Sequence, residues 1–189
     1  FDIKRFAIHD GTGLRTTIFF KGCPLRCRWC QNPEGLSVHK NLIYLKSHCI
    51  HCQNCEKFSN ENQMEYKNNR PYFNNQYEGG FDNLIQYCPS GAIRYDSQEY
   101  DIDELMEKIK EDRVFFRENG GVTFSGGEPL IQGDFLIEIL KRCQVEGIHT
   151  AIETTMFAPL EFIQKILPYL DLIYIDLKVF DEIKHEELT

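Results

Sequence analysis

The feature that most limits what this chain can fold into is Lys21-Gly22-Cys23-Pro24-Leu25-Arg26-Cys27-Arg28-Trp29-Cys30, where three cysteines stand four and then three residues apart after an apolar run. Three thiolates this close share one inorganic partner or sit strained and exposed. A tetrahedral zinc ion or an ordinary four-cysteine cluster needs a fourth protein ligand, and the loop holds no fourth cysteine. Two readings remain. One is half of a zinc site completed from elsewhere in the chain. The other is a cubane iron-sulfur cluster held at three irons with the fourth open, as a catalytic zinc keeps one unfilled position. An open iron is a place for chemistry.

The C-x3-C-x2-C spacing, with the aromatic Trp29 just before the last cysteine, resembles the radical S-adenosylmethionine enzymes. The flanking His9-Asp10-Gly11-Thr12-Gly13-Leu14-Arg15-Thr16 and Gln31-Asn32-Pro33-Glu34 narrow the resemblance to the activating enzymes of glycyl radical enzymes. The likeness runs through nearly the whole chain. It implies that the open iron of a [4Fe-4S] cluster on Cys23, Cys27 and Cys30 chelates the amino and carboxylate groups of S-adenosylmethionine.

Composition sets the outer bounds. A chain of 189 residues fits one domain with a small insert and can bury a sizeable core. A net charge of -8 argues against nucleic acid, whose binders carry a basic patch or stripe, so a protein or small-molecule partner is expected. No apolar run approaches the ~18 residues that span a bilayer, and no charged-then-apolar signal segment opens the chain. The reading is cytoplasmic, without a membrane partner. Eight cysteines suit a disulfide scaffold only in a secretory context, and all but Cys143 fall in metal-like spacings.

Thr16 to Phe20 is a β-branched and aromatic run that ends at the cysteine loop, so the ligands sit on the loop leaving the first strand. That is the face on which α/β barrels keep their chemistry. From 37 to 91 the composition turns to Asn, Gln, Tyr and Lys without sustained periodicity, which marks an insert between barrel segments 1–36 and 92–189. The insert carries its own staple, Cys49-Ile50-His51-Cys52-Gln53-Asn54-Cys55, answered by Cys88-Pro89. Bacterial ferredoxins continue such a run with x3-C-P, the fourth cysteine serving the other cluster; here Ser59 occupies that place, and the positions of a second triplet hold Glu78, Phe81 and Leu84. The insert therefore resembles half a ferredoxin, with Cys49, Cys52, Cys55 and Cys88 closing one auxiliary [4Fe-4S] cluster. A four-cysteine zinc ribbon is the alternative, although it normally shows paired C-x2-C knuckles.

Beyond the insert, Ile102, Leu105, Met106 and Ile109 recur at helical spacing behind Asp101 as N-cap. A strand from Gly121 to Phe124 runs into Ser125-Gly126-Gly127-Glu128-Pro129. Glycines leaving a strand let backbone approach a ligand, and Pro129 fixes the exit direction. Placed one helix after the insert, Gly126, Gly127, Glu128 and Pro129 resemble the family's GGEP motif, which implies a bridge from backbone to the methionine amino group. Asp134 is expected to cap the next helix, with apolar face Leu136, Ile139, Leu140 and a buried Cys143, and with Gly147 as its stop. A strand from His149 ends in Glu153-Thr154, and a helix after Pro159 leads to a strand at Leu172–Ile175 and then Asp176-Leu177-Lys178. If these are successive parallel βα units, Glu153, Thr154, Asp176 and Lys178 share one mouth. Singly each is as readily a solvated loop residue. The resemblance assigns them to the ribose, the methionine carboxylate and a monovalent cation.

The fold class expected is α/β: a partial TIM-like (β/α) barrel of parallel strands with an inserted ferredoxin-like iron-sulfur segment. The resemblance implies an electron from flavodoxin or ferredoxin, reductive cleavage of S-adenosylmethionine to methionine and a 5′-deoxyadenosyl radical, and hydrogen abstraction from a glycine of a partner glycyl radical enzyme by a monomeric activase. Two rivals from other classes are a radical S-adenosylmethionine enzyme acting on a metabolite, and an iron-sulfur electron carrier without catalysis. Four countable parallel strands are too few to close a barrel. The chain opens at Phe1 and stops at Thr189, so both ends are expected to be cut from a longer protein.

Overall fold

The computed structural model describes residues 2–74, 76–77 and 79–189; Phe1, Asn75 and the Glu78 of the missing second triplet lie outside the described residues. Among the described residues the strands, in chain order, are β1 (Asp2–Ala7), β2 (Arg15–Phe20), β3 (Leu42–Tyr44), β4 (Met64–Lys67), β5 (Arg70–Phe73), β6 (Ile93–Tyr95), β7 (Gly121–Gly126), β8 (His149–Thr154) and β9 (Leu172–Ile175). The helices are α1 (Asn54–Lys57), α2 (Asp82–Gln86), α3 (Ile102–Glu111), α4 (Arg113–Phe116), α5 (Asp134–Val145), α6 (Leu160–Ile166) and α7 (Glu182–Leu188). They divide into two compact units, Phe1–His39 with Ser97–Thr189, and Lys40–Asp96. The second unit is displaced from the expected 37–91 because β6 pairs with β3 and so belongs to it.

The first unit is built on a five-stranded sheet of order β1-β2-β7-β8-β9. The four expected strands are all present, and β2, β7, β8 and β9 are parallel neighbours. β1 is a correction to the all-parallel expectation: it pairs antiparallel with β2. Residues 8–14 between them are too short a connection for a parallel crossover, which takes a dozen residues or more, so the chain turns back as a hairpin. The exposed Lys4 and Arg5 then blunt the sheet edge.

Side-chain alternation gives the sheet two unlike faces. Ile18, Phe20, Val122, Phe124 and Ile152 pack with Leu105, Ile109, Leu136, Ile139, Leu140, Cys143, Ile163 and Ile166 of α3, α5 and α6 in one apolar core. Phe20 and Phe124 lie with parallel rings, centroids 6.0 Å apart. The opposite face is polar, carrying Arg15, Thr17, Thr123, Ser125, His149 and Glu153. α3 starts as expected: the Asp101 carboxylate accepts from Glu104 N and the Glu104 carboxylate from Asp101 N, closing a capping box. Asp134 does not cap α5. Gly133, at φ +58°, is the N-cap and Asp134 takes the first helical position, because only a glycine comfortably leaves the preceding 3-10 turn in the left-handed region. Gly147, at φ +66°, follows the end of α5, and Cys143 is buried, which pushes its thiol up to about 12.

The second unit has two small antiparallel sheets, β3 with β6 and β4 with β5. Asn68 and Asn69, at φ +51° and +61°, make the β4–β5 turn, the conformation two-residue hairpin loops favour. Its core is Phe81, Leu84 and Ile93. Two positions of the absent second cysteine triplet, Phe81 and Leu84, are thus packing residues. Ser59, standing where a ferredoxin places its fourth cysteine, donates to the Glu56 carbonyl at 2.9 Å after α1. None of the helices is long and apolar enough to cross a membrane.

One buried carboxylate gives this fold a pH signature. Asp112 accepts from Thr16 Oγ1 at 2.6 Å and from Arg5 Nε at 2.8 Å. Burial pushes its carboxyl up, but these hydrogen bonds and the Arg5 charge outweigh burial and hold it below the usual range. Its stabilising contribution is therefore complete above about pH 4 and is lost as pH falls through the lower folded value. Urea midpoints measured against pH should fall less steeply in that acidic window for Asp112→Asn than for the natural chain, and the variant should be the less stable at pH 7.

Candidate functional site

Parallel strands bring their C-terminal ends to one edge of the sheet, and four loops leave from that edge. Phe20 aligns with Gly126 and Thr154 with Ile175. The cysteine loop follows β2, Gly127-Glu128-Pro129 follows β7, Glu153 and Thr154 close β8, and Asp176 follows β9. All the expected first-unit residues therefore meet at one edge, where open α/β sheets bind ligands.

The cysteine loop is sewn to its neighbours through backbone. Gly127 N donates to Phe20 O (2.9 Å) and Glu128 N to Gly22 O (2.7 Å), while Gly22 N donates to Gly35 O (2.7 Å) and Cys23 N to Leu36 O (3.2 Å). These contacts explain the two glycines. A Cβ on Gly126, at φ +116°, would lie 2.3 Å from Phe20 N, and one on Gly127 would lie 2.1 Å from Gly22 O and 2.5 Å from Gly35 O. The bottom of the cysteine loop thus rests directly on the glycine pair. Lys21 adds a further tie, its Nζ donating to Glu34 O at 2.7 Å.

Glu128 is fully buried. Its carboxylate accepts from Thr154 Oγ1 (2.5 Å), Thr155 N (2.8 Å), Thr155 Oγ1 (2.7 Å) and, more weakly, Leu130 N (3.2 Å). Thr154 Oγ1 in turn accepts from Met156 N at 2.9 Å. The side chains of Glu128 and Thr154 are thus engaged within the protein; they clasp the β7 loop to the end of β8. Pro129 is buried at the start of the 3-10 turn Pro129–Gln132.

Cys23, Cys27 and Cys30 are partly buried and reduced, and Trp29 is exposed. Burial pushes the Cys23 thiol up, and the charges of Glu128, Cys27 and Cys30 add to the rise, against a backbone hydrogen bond at Leu25. Cys23, Cys27, Cys30 and Glu128 are thus near enough to influence one another electrostatically. Lys178 faces them. Burial pulls its ammonium down, but the Asp176 hydrogen bond (2.6 Å) and charge, with the charges of Cys27 and Cys23, raise it overall. Burial pushes the Glu153 carboxyl up, as do Asp10 and Asp176, while Ser125 Oγ donates to it at 2.6 Å.

Several residues that the sequence reading passed over lie on the polar sheet face. Arg15 is buried; its guanidinium donates to Thr123 Oγ1 and Val122 O, each at 2.7 Å, and burial holds its pKa down. Thr17 donates to Asp10 Oδ2 (2.6 Å) and Thr123 to Asp10 O (2.7 Å), turning the Asp10 loop over the sheet. The available signal was polar residues inside the strands: parallel strands covered on both faces read as continuous apolar runs, whereas β2 carries Arg15 and Thr17, β7 Thr123 and Ser125, and β8 His149 and Glu153.

In the second unit, Cys49, Cys52, Cys55 and Cys88 line one pocket. Left-handed His51 and Gln53 (φ +57° and +61°) turn the chain between the cysteines. Burial pushes the Cys55 thiol up, with Cys49 and Cys52 adding to the rise. The same pocket is lined by Tyr44, whose buried hydroxyl has no hydrogen-bond partner among the described residues. An orphaned donor beside four thiols fits a group that brings its own acceptors. Among the described residues, no three His, Cys, Asp or Glu side chains converge as the ligands of a single metal ion do.

Comparison with known proteins adds the following. Residues 86–189 match the family model described as the Radical SAM superfamily; that span holds the glycine-glutamate-proline turn but begins after the three-cysteine loop. The chain is 39% identical over its full length to the 4-hydroxyphenylacetate decarboxylase activating enzyme of Clostridium scatologenes. It is 38% identical to the (2S)-3-sulfopropanediol dehydratase activating enzyme of Klebsiella oxytoca and 38% identical to the choline trimethylamine-lyase activating enzyme of Oleidesulfovibrio alaskensis. In each case the match takes in all of this chain and 62% of the relative.

The glycine contacts give a direct test of the site. Gly127→Ala must push apart backbone at Gly22 and Gly35, an overpacking that costs about 1–3 kcal/mol. Urea unfolding should register that loss. Anaerobic iron reconstitution should show the variant retaining only a minor part of the iron that the Cys23, Cys27 and Cys30 loop binds in the natural chain.

Proposed function

The chain belongs to the radical S-adenosylmethionine superfamily, and from that premise we propose that it is the activating enzyme of a glycyl radical enzyme. The observation that carries the proposal is the joining of the three-cysteine loop to Gly126-Gly127-Glu128 at the carboxyl edge of a parallel sheet, in a chain 38–39% identical to three proteins named as activating enzymes. When bound, the [4Fe-4S] cluster and S-adenosylmethionine supply the chemistry: one electron from flavodoxin or ferredoxin cleaves a carbon–sulfur bond to give methionine and a 5′-deoxyadenosyl radical, which takes a hydrogen atom from a glycine of the partner.

The residues of the chain bind and orient. Cys23, Cys27 and Cys30 hold the cluster and, being three, leave one iron for the cofactor. The Gly126–Gly127 backbone supports the cysteine loop and would hold the methionine amino group. Glu128 and Thr154 fix that backbone. Glu153, Asp176 and Lys178 would bind the ribose, the methionine carboxylate and a monovalent cation beside that carboxylate, and Trp29 would contact the cofactor from the loop. Ser125 and Asp10 hold the Glu153 end of the polar face in place. The sequential strand order and the packing of α3, α5 and α6 on one face support reading the sheet as part of a (β/α) barrel whose concave side is this polar surface. The Lys40–Asp96 unit is read as a ferredoxin-like insert, its four cysteines holding an auxiliary [4Fe-4S] cluster. The activase is read as a monomer acting on a protein substrate. The relatives differ in the decarboxylase, dehydratase or lyase that their names give, so the proposed partner is a glycyl radical enzyme without a narrower identity.

Replacing Cys23, Cys27 and Cys30 together with alanine should lower iron from about eight to about four per chain, the second unit keeping its cubane, and should abolish 5′-deoxyadenosine formation on reduction. Continued cofactor cleavage by that variant sinks the assignment. A cluster whose EPR spectrum ignores added S-adenosylmethionine marks an electron carrier instead. Uncoupled cleavage suppressed by a metabolite but not by a glycyl radical protein marks an enzyme of small molecules.

A further inference from the structure

Tyr44 presents a buried hydroxyl with no hydrogen-bond partner of ordinary geometry among the described residues. It ends β3, opposite Ile93 of β6. Its ring packs against the core of Phe81, Leu84 and Ile93 and meets Phe73 edge-on, ring centroids 6.0 Å apart. So held, the hydroxyl is out of solvent and without a hydrogen-bond partner among the described residues. It belongs to the pocket that Cys49, Cys52, Cys55 and Cys88 line. Tyr66, a second phenol of the pocket, differs: its hydroxyl reaches Asn69 Oδ1 at 3.4 Å. Phenylalanine would fill the Tyr44 site without stranding a polar atom, since an unpaired buried hydroxyl is costly. The hydroxyl gains a use when the thiols beside it carry negative charge.

We propose that Tyr44 donates a hydrogen bond to a sulfur of the cluster held by Cys49, Cys52, Cys55 and Cys88, either the Cys49 thiolate or a bridging sulfide, and so raises that cluster's reduction potential. The inference rests on the reading of the second unit as a cluster site. Hydrogen bonds to cluster sulfurs are among the levers that set potentials. A donor favours the reduced state because that state carries one more negative charge on its sulfurs. Tyr44 is in this sense a positioning and tuning residue, and Cys49, Cys52, Cys55 and Cys88 are the ligands.

The test uses the full chain carrying the Cys23, Cys27 and Cys30 alanine replacements, reconstituted anaerobically so that the second unit's cluster is the only one read. Its potential is followed by EPR in a titration with dithionite as reductant. Tyr44→Phe should lower the reduced-to-oxidised ratio at a fixed poise about tenfold, equal to about 59 mV for a one-electron couple, with iron and sulfide content unchanged. Tyr72→Phe, at an exposed ring, should leave the ratio where it was. A cluster present in both proteins with the same potential overturns the inference and leaves the cluster reading standing. Zinc, or no acid-labile sulfide, in the Tyr44 protein overturns both. If Tyr44→Phe does not retain its cluster, 3-fluorotyrosine at position 44 keeps the shape and strengthens the donor; the potential must then rise, and an unmoved value overturns the inference.

Discussion

Close backbone approach at Gly126 and Gly127, locked by the buried Glu128 carboxylate, is the constraint on which the first unit's site depends. The glycine pair lies directly against Phe20, Gly22 and Gly35, where a Cβ would come within 2.1–2.5 Å of backbone atoms. The carboxylate then reaches across to Thr154 and Thr155. Three segments distant in sequence are tied by hydrogen bonds whose donors and acceptors are either backbone or buried, so none is easily exchanged for water. A charge taken out of water is tolerated only when its oxygens are fully bonded, and the Glu128 carboxylate meets that condition with four donors. The result is a rigid floor beneath the loop that carries Cys23, Cys27 and Cys30.

This arrangement changes the meaning of a motif that is plain in the sequence. Gly126-Gly127-Glu128-Pro129 is recognisable as a strand exit suited to a ligand, and its place between helices was readable from hydrophobic periodicity. The side chain of Glu128 was not readable as internal, because its partners come from β8, 26 and 27 residues away. A carboxylate next to glycines looks solvent-facing until the neighbouring strand is in position. What local spacing made legible is the Asp101 cap, the apolar stripe of α5 and the buried Cys143.

Other parts were hidden by weak local signals. β1 lacks a continuous apolar run because an antiparallel edge strand needs only one covered face, and its charged residues serve that edge. Asp134 is as good an N-cap in composition as Asp101, yet the backbone required a left-handed residue there and Gly133 supplied it. Part of the polar face was visible as alternation in Val122-Thr123-Phe124-Ser125, but alternation usually signals solvent on one side of an antiparallel sheet. The parallel pairing of β2, β7 and β8 is what the alternation could not reveal.

The two units answer the problem of gathering thiols in different ways. The Cys23 loop relies on a scaffold: strands, glycines and a buried carboxylate hold its base while the thiols project from it. The Lys40–Asp96 unit has only two small sheets, short helices and a core of three fully packed residues with their neighbours, and a segment of that size gains little stability from burial alone. Its cysteines and aromatic rings therefore occupy the same space, with Cys55 and Cys88 packed against the core residues themselves. Phe81 and Leu84 fill positions that a second triplet would take, so the unit exchanges a second metal centre for apolar packing. A group bound in a unit of that size is part of what holds it folded, so the packing of Tyr44 and its neighbours and the occupancy of the pocket depend on each other.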